Sequence, residues 1–101
     1  MDPQRIFEAI RGGLACSQCL TDKAPRMFTG NYEPGFRMKL HVKDLTNALE
    51  TSRELHTAMP LTAQVMKMMQ TLMAEGHTEL DHGALALFYE KLNSISLKKK
   101  N

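Results

Sequence analysis

The stretch PGFRMKLHVKDL, residues 34–45, decides the fold of this chain. It opens with a Pro-Gly turn, after which apolar side chains recur every three or four residues, at Met38, Val42, Leu45 and Leu49. This spacing is that of one face of an α-helix. The sequence therefore predicts a helix over about residues 37–57.

Two lysines, Lys39 and Lys43, lie one turn apart on this predicted helix. Like charges at this spacing repel each other and cost an isolated helix roughly 0.2–0.5 kcal/mol, unless a carboxylate or a bound anion compensates. Charged runs usually form a solvated face. The pattern alone is compatible with two interpretations, a solvated helix face and an anion-binding helix face.

Helical signals extend over most of the chain. Asp2 and Pro3 have the residue types of a helix start, and Gly12 is a typical helix stop. Further helices are predicted at residues 14–20, at 60–76 and from Asp81 onward. The breakers in residues 22–35 favour a loop there. The side chains expected to face inward include Ile6, Phe7, Ile10, Leu61, Val65, Met68, Met69, Leu72, Leu85, Phe88, Leu92 and Ile95.

No segment shows the sustained two-residue alternation of a half-buried strand. The fold class expected is therefore all-α, with about five helices and no sheet. A length of 101 residues fits one domain, residues 1–101. The last five residues, 97–101, are expected to form a flexible tail.

The charge balance gives no indication of a nucleic-acid or anionic-membrane surface. The formal net charge is +2, and Lys98, Lys99 and Lys100 supply three of the positive charges, so the rest of the chain carries −1. No apolar run approaches the ~20 residues of a membrane span. Charged residues interrupt the first ten positions, unlike a signal peptide. A cytoplasmic protein that binds neither nucleic acid nor membrane is predicted.

One motif, G-F-R-x-x-L-H-x-K-D-L at residues 35–45, resembles the segment that opens the C-terminal helical domain of the β-hydroxyacid dehydrogenases. Weaker similarities follow the family's order: A-I-R-G-G-L-A at 9–15, K-A-P at 23–25, P-L-T-A at 60–63 and L-D-H-G-A-L at 80–85. The resemblance implies a helical domain of the 6-phosphogluconate dehydrogenase-like type. The 101 residues contain neither G-x-G-x-x-G after a strand nor the G-x-x-x-N-x-x-K motif of the family's catalytic lysine. The N-terminal dinucleotide-binding domain is thus expected to be absent from this chain.

The resemblance also implies roles for three residues. Lys43 matches a lysine that borders the nicotinamide end of bound NAD or NADP, and Phe36 matches an apolar wall of the cofactor cleft. Asp44 matches a polar neighbour of the catalytic lysine in the substrate cleft. Without the resemblance, Phe36 reads as a core residue and Asp44 as an exposed helix carboxylate.

The activity that the resemblance implies belongs to a longer enzyme. The similarity is greatest to family members that reduce tartronate semialdehyde (2-hydroxy-3-oxopropionate) to D-glycerate with a nicotinamide cofactor. This domain would close the cleft over cofactor and substrate and form the interface of a homo-oligomer. It would be inactive alone, because hydride transfer needs cofactor, substrate and proton donor held together.

The residues bear on two other classes of function. A non-catalytic helical interaction or assembly module fits the many methionines of residues 59–73, since methionine is common at adaptable interfaces. A DNA-binding helix-turn-helix is disfavoured, because no helix is basic enough for recognition.

Cys16 and Cys19 form a single C-x-x-C motif. Structural zinc needs four ligands, and His77 with His82 is the pair whose spacing could complete a set. A thioredoxin-like dithiol needs a βαβ context, which the pattern lacks. Two reduced thiols without a metal are therefore expected. His41, on the central helix, fits a packed structural histidine better than a catalytic one.

Overall fold

The computed structural model describes residues 1–99 and contains five α-helices and one 3₁₀ turn in that range. The elements are α1 (Pro3–Ile10), α2 (Gln18–Thr29), α3 (Met38–Glu54), α4 (Pro60–Ala74), the 3₁₀ turn (His82–Leu85) and α5 (Ala86–Asn93). Extended backbone pairs at one isolated bridge, between Arg37 and Asp81, and no sheet forms among these residues. The all-α prediction is confirmed.

The core lies where α3, α4 and the 3₁₀ turn meet. Its buried members are Tyr32, Met38, Met69, Leu72 and Ala84. Val42, Leu45 and Val65 pack around this cluster, as the helical stripes predict. The core therefore fixes α3 against the segment that leads into α5.

The prediction for residues 14–29 placed the helix wrongly, while residues 30–35 form a loop as expected. A helix was expected at 14–20 and a loop at 22–35, whereas α2 runs from Gln18 to Thr29 with Pro25 inside it. The Ser17 side chain caps the helix by accepting from the Leu20 amide at 2.9 Å, and Gly30, with φ at 69°, ends it. Tertiary contacts of this helix, described below, offset the hydrogen bond that Pro25 cannot donate.

Several side chains predicted to face inward are exposed: Ile6, Ile10, Leu61, Leu92 and Ile95. The physical reason is that each outer helix packs on few neighbours, so that only part of its apolar face is covered. In α1, for example, Phe7 alone is buried, with its ring 5.7 Å from that of Phe28. For α1, α4 and α5 the sequence pattern identified a helix correctly but overestimated the width of its buried face.

The last helix starts later than predicted. Asp81 accepts from the Gly83 amide as a cap, but the turn that follows is 3₁₀, and α5 begins at Ala86. At the C-terminal end, the Lys99 amide donates to the Phe28 carbonyl at 2.7 Å. Lys100 and Asn101, part of the predicted tail, lie outside the described residues. Within residues 1–99 no helix is both long enough and apolar enough to cross a membrane.

Candidate functional site

The N-terminus of α3 is fixed by the segment that precedes the 3₁₀ turn. The Met38 amide donates to the Leu80 carbonyl at 2.8 Å, and the Lys39 amide donates to the Thr78 carbonyl at 3.3 Å. A helix N-terminus leaves its first amides without partners inside the helix. Here residues 78–80 supply acceptors for two of them, although Arg37 gives no side-chain cap.

Asp81 holds the loop that leads into α3. Its side chain is fully buried, and its Oδ1 accepts from the amides of Gly35 and Phe36, each at 3.0 Å. The same oxygen lies 3.0 Å from Lys23 Nζ, and Oδ2 accepts from the Gly83 amide at 2.8 Å. A second cation, Arg26, places Nε 3.8 Å from Oδ2. This carboxylate thus joins α2, the loop before α3 and the 3₁₀ turn.

These contacts keep Asp81 ionised. Burial raises the pKa of a carboxyl, but the amides of Phe36 and Gly83, together with Lys23 and the Gly35 amide, outweigh it and lower the pKa of Asp81 to about 2. A buried carboxylate with several donors and a cation is satisfied rather than reactive. Asp81 therefore acts as a structural anchor for Phe36.

Phe36 is half-buried beside two histidine rings. Its ring centroid lies 5.5 Å from that of His82 and 6.0 Å from that of His41, both at near-perpendicular angles. Edge-to-face packing at such distances is favourable for aromatic rings. The two histidines also line a cavity of about 250 Å³, whose walls include Cys19, Lys23, Met27, Val65 and Met69.

The two lysines of α3 differ in their partners. Lys39 Nζ lies 2.7 Å from Glu79 Oε1, and Arg37 Nε lies 3.0 Å from the other oxygen of Glu79. The hydrogen bond from Lys39, together with both positive charges, lowers the pKa of Glu79. Lys43 is exposed and forms no ion pair with any of residues 1–99. The repulsion between the lysines is therefore compensated at Lys39 and left uncompensated at Lys43.

Asp44 is exposed next to Lys43, and its side chain makes no hydrogen bond within the described part of the chain. The structure therefore brings Phe36 together with His41 and His82, while Lys43 and Asp44 stand on the open surface of α3. Both cysteines are exposed free thiols. In residues 1–99 no three His, Cys, Asp or Glu side chains are grouped to hold a metal, and His82 contacts His41 rather than completing a set with His77.

Sequence reasoning missed Lys23 and Asp81 as site residues. Asp81 was recognised only as a helix cap, and Lys23 only as part of a short motif. The local signal in the sequence was the spacing of Asp81 and Gly83, two residues apart. In the structure, a Cβ added at Gly83 would come within 2.8 Å of the carboxylate. Contacts between residues 23, 35 and 81 leave no periodic pattern, so they were visible only in the fold.

The fold and site define an all-helical domain with an anchored aromatic side chain just before α3 and an unpaired cation, Lys43, five residues into that helix. Comparison with known proteins shows which protein family has this domain. The chain belongs to the family described as NAD-binding of NADP-dependent 3-hydroxyisobutyrate dehydrogenase, whose profile matches residues 1–89. It is thus a domain of the nicotinamide-dependent hydroxyacid dehydrogenases.

Individual relatives agree with this assignment. The chain is 39% identical over 96 residues to 2-hydroxy-3-oxopropionate reductase of Escherichia coli, covering 95% of the chain and 33% of that protein. It is 36% identical over 76 residues to the uncharacterized oxidoreductase YkwC of Bacillus subtilis, covering 75% of the chain and 26% of that protein. It is 30% identical over 101 residues to a probable mitochondrial 3-hydroxyisobutyrate dehydrogenase-like protein of Arabidopsis thaliana, covering all of the chain and 30% of that protein. The chain spans about a third of the length of these relatives.

Proposed function

We propose that this chain is the cofactor-facing C-terminal domain of a dehydrogenase that reduces tartronate semialdehyde to D-glycerate with NADH or NADPH. The family supports the class of reaction, and the 39% identity to 2-hydroxy-3-oxopropionate reductase supports the substrate. A separate N-terminal domain would supply the dinucleotide fold and the catalytic lysine. The domain closes the cleft over cofactor and substrate, and part of it forms the interface of a homo-oligomer in the cytoplasm.

The main support for this proposal is that Lys43 is exposed and has no ion-pair partner among residues 1–99. An exposed ammonium without a carboxylate partner, next to a like charge that has one, is available to an anionic ligand. In the proposed site Lys43 binds at the nicotinamide end of the cofactor and Phe36 forms an apolar wall. Asp44 is a polar neighbour of the catalytic lysine of the other domain. As hydride reaches the carbonyl carbon, negative charge grows on the carbonyl oxygen, and positive charge nearby stabilises it.

Lys43→Ala in the complete enzyme tests the assignment. A charge-assisted hydrogen bond contributes roughly 1.5–3 kcal/mol, so the KM for NADH or NADPH should rise by about 10- to 100-fold. The melting temperature should stay within the spread of surface substitutions, because Lys43 is exposed. Lys67→Ala is the matched control, since Lys67 is an exposed helix lysine that also has no ion pair among residues 1–99. A Lys43→Ala enzyme as active as the control would end the assignment.

The isolated chain should not bind the cofactor tightly, because its partner domain holds most of the nucleotide. NADH or NADPH fluorescence is expected to stay unchanged when the chain is added at micromolar concentrations. Tight binding would contradict this division of roles.

A second candidate is a helical assembly module without an enzyme attached. The exposed apolar side chains of Leu61, Leu92 and Ile95 favour it, since such side chains mark interaction surfaces when they cluster. The coding sequence upstream distinguishes the two candidates. A strand–G-x-G-x-x-G–helix unit followed by the lysine motif supports the dehydrogenase, and their absence supports the module.

A further inference from the structure

His41 and His82 form a direct pair between two elements. The Nδ1 atoms of the two rings lie 3.1 Å apart, and the ring centroids lie 4.9 Å apart. His41 belongs to α3 and His82 opens the 3₁₀ turn, so the pair bridges these two elements next to the loop that Asp81 holds. Both side chains are partly buried.

The two histidine rings pack against the Phe36 side chain. Both imidazoles meet the phenyl ring at steep angles, 81° for His41 and 72° for His82. The Phe36 backbone is held independently, because its carbonyl accepts from the His82 amide at 2.8 Å and its amide donates to Asp81. The backbone contacts fix where the residue sits, and the two rings fix where its side chain points.

The contact between the histidines limits how many protons the pair can carry. One Nδ1 must donate and the other must accept, so at most one of the two rings is an imidazolium while the contact lasts. If both rings were protonated, two N–H groups would face each other at 3.1 Å. Double protonation is therefore incompatible with the observed arrangement.

The groups around the pair oppose a second proton. From α2, Lys23 and Arg26 present positive charge, while α4 offers only the apolar Val65 and Met69. The anion beside His82 is Asp81, which is already engaged by Lys23 and three amides. Along α3 and its N-cap, the exposed Arg37 and Asp44 lie about one turn from His41, on either side of it in sequence. Burial lowers the pKa of His82. Asp81 raises it in part, while Lys23, His41 and Arg26 lower it further.

We infer that His41 and His82 are positioning residues that hold the Phe36 side chain against the nicotinamide cofactor, and that they release it when both rings are protonated. The inference rests on the proposed function for the role of Phe36 in cofactor binding. The coupling between the histidines and the phenyl ring is a property of the chain itself. Both parts can be measured separately.

The coupling is tested by NMR on the 101-residue chain with labelled histidine and phenylalanine. The imidazole signals of His41 and His82 should titrate as a pair, with shared midpoints that belong to neither ring alone. The Phe36 ring signals should move at the lower midpoint, where the second proton binds. His82→Gln should abolish this movement, and His56→Asn should leave it intact, because His56 is exposed in the loop after α3. Phe36 signals that stay constant while both rings take up protons, or that move equally in His82→Gln, would overturn the inference.

The consequence for the cofactor is tested in the complete enzyme. Only the protein that has not taken up the second proton is competent, so the KM for the cofactor should rise toward about tenfold for each pH unit below that midpoint. His41→Gln, which cannot gain a charge, should lack this acidic rise. A rise of the same size in His41→Gln would refute the positioning role.

Lys43→Ala separates this inference from the proposed function. It should raise KM at every pH without altering the Phe36 titration. If Lys43→Ala has no effect while Phe36 still follows the histidines, the assignment of the cofactor site fails and the coupling stands. If Lys43→Ala raises KM but Phe36 ignores the histidines, the site stands and this inference fails.

Discussion

Lys23 and Asp81 are 58 positions apart in the chain, and Nζ of the first lies 3.0 Å from Oδ1 of the second. The same carboxylate accepts from the amides of Gly35 and Phe36, so the ion pair and the loop before α3 form one unit. Neither partner of a buried ion pair can be removed without leaving the other charge poorly solvated.

Asp81→Asn should therefore destabilise the chain strongly. An amide keeps an acceptor oxygen for the loop but leaves Lys23 without a counter-charge, and Lys23 is only 18% exposed. We expect the free energy of unfolding in urea to fall by about 2–4 kcal/mol. Glu79→Gln is the control, because its ion pairs with Lys39 and Arg37 are exposed, and it should change little. Equal stability of the two variants would show that the buried pair contributes nothing.

The same carboxylate predicts how stability changes in acid. The pKa of Asp81 is about 2 in the folded chain against an ordinary 3.8, so its contribution is complete above pH 3.8 and is lost as pH falls toward 2. The difference corresponds to roughly 2 kcal/mol. In urea unfolding, the difference in unfolding free energy between the wild type and Asp81→Asn should shrink by roughly 2 kcal/mol as the pH falls from 3.8 to about 2. A constant gap between them down to pH 2 would contradict the lowered pKa.

Gly83 is predicted to tolerate no side chain. An alanine Cβ there would lie 2.8 Å from Asp81 Oδ2, the oxygen that the Gly83 amide itself holds. Gly83→Ala should cost about 1–3 kcal/mol, as overpacking commonly does. Gly12→Ala is the control, since nothing lies within 4 Å of its added Cβ, and it should be neutral or slightly stabilising. Thermal unfolding of both variants decides the point, and a Gly83→Ala variant as stable as Gly12→Ala would refute it.

Tyr32 carries a buried hydroxyl with no hydrogen-bond partner among residues 1–99. Burial, and to a lesser extent the charge of Glu90, raises the pKa of Tyr32 to about 12. Tyr32→Phe removes an unsatisfied polar group and should be neutral or stabilise the chain by up to about 1 kcal/mol. Tyr89→Phe, on the exposed surface, should have no effect. A clear loss of stability in Tyr32→Phe would indicate that its hydroxyl has a partner after all.

The sequence predicted correctly those helices whose signals lie in neighbouring residues. The stripe through Met38, Val42 and Leu45 placed α3 within a few residues, and Pro60 marked the start of α4. α2 was misplaced because Pro25 and Gly30 were both interpreted as loop signals, whereas in the structure Pro25 lies inside the helix and Gly30 ends it. Propensity is a weak prior, and tertiary contacts of Lys23 and Arg26 override it here.

The residues of the candidate site also fall into two groups, those found from a local motif and those found only in the fold. Phe36, Lys43 and Asp44 came from a motif contiguous in sequence, and their assignment as cofactor and substrate contacts stays a prediction. Asp81 and the histidine pair could not be predicted, because they depend on residues about 40 to 60 positions apart meeting in space. Periodicity reports which face of a helix is apolar and carries no information on which helices meet.

The anchoring of the loop by Asp81 also constrains the order of events during protein synthesis. Helix α2 and the loop with Phe36 leave the ribosome long before residues 81–83 do, and until then neither Lys23 nor the two loop amides has the acceptor found in the native state. The aromatic wall of the proposed cleft therefore acquires its shape only after Asp81 has emerged. A polypeptide truncated before this aspartate would lack the acceptor of the Gly35 and Phe36 amides and would present Phe36 on an unanchored loop.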